Sequence, residues 1–372
     1  MARIVESEFE TVEMMLNMGP QHPSTHGVFR MLLAIDGEKV VDCEPVIGYL
    51  HRGIEKLFEN YGYRQIIPLF DRMDYISAFN CEHTLVMAIE KLMKIEVPER
   101  AEYVRVILCE LNRIASHMLF YGCMGADAGA LTPFLYGFIE RERIQQIFEA
   151  VCGGRLTVNY LRVGGLKQDV PADFKERVRS ILPPLERGLA DCDNLLSQNE
   201  ILLVRARDIG IIKAEEAINF GLSGPTLRAS GVAEDIRRTE PYSIYDRFDF
   251  EIPVGEVGDT YDRYILRVEE MRQSIGIIKQ ALDQMPDGPI LGTVPRVLRP
   301  PAGEVYVRTE CPRGDFGVYL VSKGGPMPYR LKVRAPSFCN LMALRTMLAG
   351  CWVADTVMVL GSLDIVLGEV DR

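Results

Sequence analysis

ERAEYVRVILCELNRIASHMLFYGC (99–123) decides the reading of this chain, because its apolar residues recur three and four apart for its whole length, the period of a helix with a buried face. Two neighbours share that period, ISAFNCEHTLVMAIEKLMK (76–94) and PFLYGFIERERIQQIFEAVCGG (133–154), with breakers expected at Pro98, Gly122, Pro133 and Gly153. A further helical stretch runs from Pro171 to about Leu203, expected to break or bend at the Pro183-Pro184 pair, and DTYDRYILRVEEMRQSIGIIKQALDQM (259–285) gives one more. Long helices of this kind form a bundle.

Outward from the bundle the text becomes strand-like. MMLNMG (14–19), the polar turn QHPSTHG (21–27) and VFRMLLAIDGEKVVDCEP (28–45) read as two or three strands, with Asp36 and Gly37 marking a hairpin. EVYVRTECPRGDFGVYLVSKGG (304–325) and YRLKVRAPS (329–337) are strand-like as well. They lead to a helix in NLMALRTMLAG (340–350) and an apolar end, ADTVMVLGSLDIVLGEVDR (354–372), which should be buried. Residues 219–258, rich in Gly, Pro and Arg without periodicity, read as loop on a surface or interface. The expected fold is mainly α with small β elements. It forms one domain over 1–372, with a β portion over 1–45, a helical bundle over 46–285 and a β/helix portion over 286–372.

Composition excludes several classes. At 48% hydrophobic and 25% charged, the 372 residues have ample apolar area for a core, and disorder is not expected. A net charge of -10 argues against a nucleic-acid partner, since phosphate binding uses clustered Lys and Arg. Nine cysteines without a C-x-x-C pair fit no zinc ribbon, ferredoxin motif or disulfide framework, and read mostly as reduced core thiols. No run approaches the roughly 18–20 apolar residues that span a bilayer. Any membrane association is expected to go through partners.

Four places could carry chemistry. His22 and His26 stand four apart in a turn with Pro23, Ser24 and Thr25; the plainer reading is a solvated loop, and Pro23 argues against a helical metal pair. DRMDYISAFNCEH (71–83) crowds Asp71, Arg72, Asp74, Tyr75, Glu82 and His83 at the entry to a helix. There the plainer reading is N-capping by Asp74 or Ser77, with Glu82 and His83 on a wet face. Asp127 in GCMGADAGALTP and the closing GEVDR read by themselves as loop solvation and a salt bridge.

Together, NMGPQHPSTHG (17–27), CEPVIGYLHRGIEKL (43–57), DRMDYISAFNCEH (71–83), ELNRIASH (110–117), VGDTYDRYILRVEEMRQS (257–274) and GSLDIVLGEVDR (361–372) closely resemble the quinone-site subunit family of respiratory complex I, the D type or 49-kilodalton type, in order through the chain. The deeper resemblance is to the large subunit of nickel–iron hydrogenases, and it implies a hydrogenase-like long-helix bundle. Asp74, Ser77, Val366 and Glu369 stand where that large subunit has its four metal-binding cysteines, so the resemblance implies loss of nickel chemistry and of any metal site.

The resemblance further implies that the vacated cavity admits a quinone, met by His26 and Tyr75, with Asp127 as the carboxylate partner of His26 and His22, Asp364 and Val366 in the same pocket. Arg52 and Arg72 match arginines beside a tetranuclear iron–sulfur cluster carried by a neighbouring subunit. Thr157 stands where many relatives have a histidine near that cluster, so that role does not carry over. No cofactor is expected on this chain; FMN and the iron–sulfur clusters belong to partners.

The implied partners are the cluster-bearing small subunit, the C-type subunit and the H-type membrane subunit of complex I, and the implied place is peripheral, on the cytoplasmic side of a bacterial inner membrane. The implied task is quinone reduction with electrons from NADH, coupled to proton translocation. Related complexes use ferredoxin or a deazaflavin as donor with a similar subunit, and the sequence does not separate them. A silent assembly scaffold would have no need of His26, Tyr75 and Asp127 together.

Overall fold

The structure, a computed structural model, describes residues 14–372. Three antiparallel strands, Met14–Met18, Arg30–Asp36 and Lys39–Val46, form the N-terminal sheet in sequence order, with the hairpin at Gly37. A second antiparallel sheet is built from Gly303–Cys311, Gly314–Ser322 and Arg330–Arg334. The remaining core is helical, so the chain is mainly α with small β elements, as its periodicity predicts.

The decisive stretch is the helix Glu99–Asp127, about 43 Å long at the usual rise per residue. It does not break at Gly122. The helix Leu131–Cys152 packs antiparallel along it, and glycines make the close approach possible. A methyl group on Gly125 would lie 2.7 Å from Pro133 Cβ, and one on Gly137 2.6 Å from the Met118 carbonyl oxygen. Gly122, with Phe134 Cα at 3.1 Å from its own missing methyl, serves the same contact. Packing therefore outweighs the roughly 1 kcal/mol that a helical glycine costs.

Two further expectations are corrected. The helix Phe174–Cys192 does not break at Pro183 and Pro184: Pro183 is exposed and Pro184 partly so, while Val178, Leu182, Leu185 and Leu189 hold the inner face. The interruption comes later, at the π-turn Asp193–Ser197, and Asn199 then caps the helix Glu200–Ala206 by accepting from Ile201 N at 2.9 Å.

Residues 219–258 are indeed loop-rich, and much of the segment is exposed, but part of it is core. Leu222 to Ser230 are buried, and so are Asp235 and Arg237. Their charges are matched by carboxylates and guanidinium groups from three other elements: Arg228 reaches Glu270 at 2.6 Å and Glu310 at 2.9 Å, and Arg237 reaches Glu110 at 3.1 Å. Periodicity cannot reveal burial that rests on ion pairs.

The C-terminal end is buried as expected. The helix Thr356–Ser362 lies against the long helix, the helix Thr260–Gln284 and the turn Pro23–Thr25, and the helix Leu367–Asp371 lies against the helix Pro336–Leu341. Among the described residues no helix is long and apolar enough to cross a membrane.

Candidate functional site

The loop after the first strand makes one short turn, Pro23–Thr25, and delivers His26 in a left-handed conformation, φ 54°. Buried Thr25 fixes that loop by donating from Oγ1 to the His22 carbonyl oxygen at 2.8 Å. Nε2 of His26 then lies 2.9 Å from Oδ2 of Asp127, the last residue of the long helix. The two atoms are close but not aligned as a well-formed hydrogen bond. Burial works against a charged imidazole here, but Asp127, and beyond it Asp364, outweigh it and raise the His26 pKa above 6.5.

Both residues line a cleft of about 620 Å³ with Pro23, Cys123, Phe134 and Arg205. His22 is exposed, and its Nδ1 accepts from Ser24 N at 3.2 Å. It caps the turn that presents His26.

Tyr75 does not line that cleft. Both Tyr75 and the His26 loop border the C-terminal tail: a methyl on Gly368 would lie 3.2 Å from the Tyr75 ring, one on Gly27 2.9 Å from Leu367, and one on Gly361 3.2 Å from His26 Nε2. One short segment, 361–368, thus backs both the His26 loop and Tyr75. The phenol is half-buried, and burial raises its pKa.

The entry to the helix Ala78–Met93 departs from the capping expectation. Ser77 occupies the cap position without a side-chain cap bond, and its Oγ accepts from Asn80 Nδ2 at 2.8 Å. Asp74 Oδ1 accepts from Ile76 N at 3.2 Å while Oδ2 pairs with Arg313 at 2.8 Å. Nor do Glu82 and His83 face water: both are buried, and Glu82 accepts from Tyr160 N and Leu161 N at 3.1 and 3.0 Å.

Of Asp74, Ser77, Val366 and Glu369, the first and last carry buried carboxyl groups, each with its pKa raised by burial. Glu369 is pushed up to about 8, with the charge of Asp74 the next cause, and it accepts from Ser337 N at 2.9 Å. Val366 is buried, its backbone N donating to Ser337 Oγ at 3.1 Å.

Asp364, also left-handed at φ 53°, sits between Arg313 and Arg267, at 3.2 and 3.7 Å. Strained residues of this kind gather where surrounding structure holds them for a purpose. Sequence reading missed both arginines. The clue for Arg313 was the CPRGDFG turn (311–317), a charged residue inside strand-like text.

Arg52 and Arg72 lie together on the surface, Arg52 Nη2 donating to the Arg72 carbonyl oxygen at 3.3 Å. Burial, and then the charge of Arg72, lowers the Arg52 pKa. Neither has a carboxylate within ion-pair distance among the described residues. Thr157 is exposed.

Residues 127–301 and 292–372 match the family described as "Respiratory-chain NADH dehydrogenase, 49 Kd subunit". Proteins named as the D-type subunit of NADH-quinone oxidoreductase are similar over nearly the full length of both chains. The one from Dehalococcoides mccartyi (strain ATCC BAA-2266) is 54% identical over 364 residues, covering 98% of this chain and 99% of its own. That of Bacillus cereus is 53% identical over 362 residues, covering 97% and 99%. The chain belongs to the 49-kilodalton subunit family of the respiratory-chain NADH dehydrogenases. It is thus one of the subunits of complex I, an oxidoreductase that it serves together with the other complex I subunits.

Proposed function

We propose that this subunit forms the chamber in which complex I reduces quinone to quinol. The observation that carries the reading is the shared backing of two proton donors, His26 and Tyr75, by one buried tail segment, with Asp127 against the imidazole. Quinone takes up two electrons and two protons, one proton at each carbonyl oxygen. The Tyr75 hydroxyl and the protonated His26 imidazole each donate a hydrogen bond and then a proton, and the cleft beside His26 gives that imidazole access to solvent for reprotonation. Asp127 keeps His26 charged until it donates.

The electrons come from NADH through FMN and iron–sulfur clusters of partner subunits. The paired, uncompensated guanidinium groups of Arg52 and Arg72 suit a face turned to an anionic cluster in the neighbouring small subunit, whose reduced form they favour. This chain binds no cofactor of its own. With the C-type subunit and the H-type membrane subunit it closes the chamber on the cytoplasmic side of the membrane as a peripheral protein, and quinone reduction drives proton translocation.

The test is Tyr75→Phe in the assembled complex. Clusters should remain reducible by the donor while quinone turnover falls about a hundredfold, the loss of a positioned acid. Wild-type turnover with several short-chain quinones would remove Tyr75 from the chamber.

A further inference from the structure

The CPRGDFG turn sends one guanidinium into the middle of the site. Arg313 is 1% exposed and is held from three segments far apart in the chain. Its Nη1 donates to Asp74 Oδ2 at 2.8 Å and to Ser116 Oγ, on the long helix, at 3.0 Å. Nε donates to the Asp364 carbonyl oxygen at 2.8 Å and Nη2 to Asp364 Oδ1 at 3.2 Å. Its own carbonyl oxygen accepts from Asn340 Nδ2 at 3.1 Å, which fixes the turn from which the side chain departs.

Asp74 immediately precedes Tyr75, and Asp364 stands two residues before Val366. The planar fork of Arg313 therefore ties the turn that carries the phenol to the tail that backs it. Arg267, the other cation near Asp364, does not replace it: it lies 3.7 Å from Asp364 and pairs with no carboxylate on the Tyr75 turn.

We propose that Arg313 is a positioning residue for quinone reduction, which sets Tyr75 against the tail segment 364–368 by bridging Asp74 and Asp364. The inference rests on the chamber reading above. Its charge acts in the same sense, since Arg313 opposes the rise that burial imposes on the Tyr75 pKa and so keeps the phenol a better acid.

A lysine would keep the charge but not the geometry, because a single ammonium cannot repeat a fork that bonds two carboxylates and a carbonyl oxygen at once. In the intact complex, Arg313→Lys should retain donor oxidation with an artificial acceptor and a quinone KM close to wild type. Its kcat for short-chain quinones should fall about tenfold or more, as expected when a reacting group is misplaced by a fraction of an ångström. The double variant Asp74→Asn/Arg313→Met removes the Asp74–Arg313 pair together and leaves Asp364 to Arg267, 3.7 Å away; it should assemble and lose at least as much kcat.

Wild-type kcat in Arg313→Lys would overturn the proposal, whether or not the double variant assembles, since Arg313 would then be scaffold alone. Full activity of the double variant would do the same. If Tyr75→Phe is strongly impaired while Arg313→Lys is not, only this inference fails; if Tyr75→Phe is fully active, the chamber reading fails with it.

Discussion

The carboxylate of Asp127 and the imidazole of His26 meet at 2.9 Å, although one ends the longest helix and the other sits in a loop at the start of the chain. Burial alone would lower the His26 pKa, and Asp127 reverses that. The folded value therefore lies above 6.5, so the stability from this contact is full below pH 6.5 and fades as pH rises through the raised value.

Asp127→Asn should accordingly lower the His26 pKa and move the alkaline limb of quinone reduction to lower pH. A pH–rate profile of the assembled variant that overlays the wild type would show that the imidazole titrates independently of Asp127 or plays no part.

Gly361→Ala is the sharpest steric probe of the same contact. The added methyl would stand 2.9 Å from Asp127 Oδ2 and 3.2 Å from both His26 Nε2 and Met124 Sδ. Overpacking of this kind costs about 1–3 kcal/mol. Quinone turnover should drop while the upstream clusters still reduce; equal activity would mean that the helix Thr356–Ser362 yields freely.

Burial and the charge of Asp74 push the Glu369 pKa up to about 8, which favours its protonated form at neutral pH. For a carboxyl group raised in the folded state, the favourable contribution is complete below the unfolded value of 4.5 and is lost progressively as pH climbs from there through about 8. Glu369→Gln mimics the protonated form and should inactivate more slowly than wild type at pH 9, with a smaller difference at pH 6. Equal half-lives of the two complexes at pH 9 would count against a neutral Glu369.

Val366→Thr adds a hydroxyl without adding bulk at a buried position of the tail. A buried hydroxyl without a partner costs about 1–3 kcal/mol, which the complex should tolerate. Affinity for quinone-site inhibitors should change several-fold in a fully assembled preparation, and unchanged inhibitor sensitivity would place Val366 away from the chamber.

How much of this could be read beforehand divides along physical lines. Helices with a sustained apolar face, such as Glu99–Asp127 and Thr260–Gln284, announce themselves by period, although both also bury charged residues, and so do the strands on either side. The Gly122 and Pro183-Pro184 errors arose because local cost was weighed without the packing that offsets it.

His26, Tyr75 and Asp127 were found through resemblance, not pattern; no periodicity joins a loop, a helix entry and a helix end. Glu82 and His83 were misplaced on water for a related reason, since a buried charge looks in sequence like a solvated one. Arg313 escaped notice because its partners, Asp74 and Asp364, are brought together only by the fold.

The segment 219–258 has the composition of a linker, the sort of place where an engineer would cut, tag or permute a protein. Its Arg228 and Arg237 instead have counter-charges on Glu110, Glu270 and Glu310. Undocking it would strand like and unlike charges in the interior at roughly 3–5 kcal/mol for each broken pair. A bundle without this segment is therefore not a half-finished version of the protein that waits for its last piece. The early and late parts of the chain must close around it in one event, and a protease nick there should act as a demolition rather than as a trim.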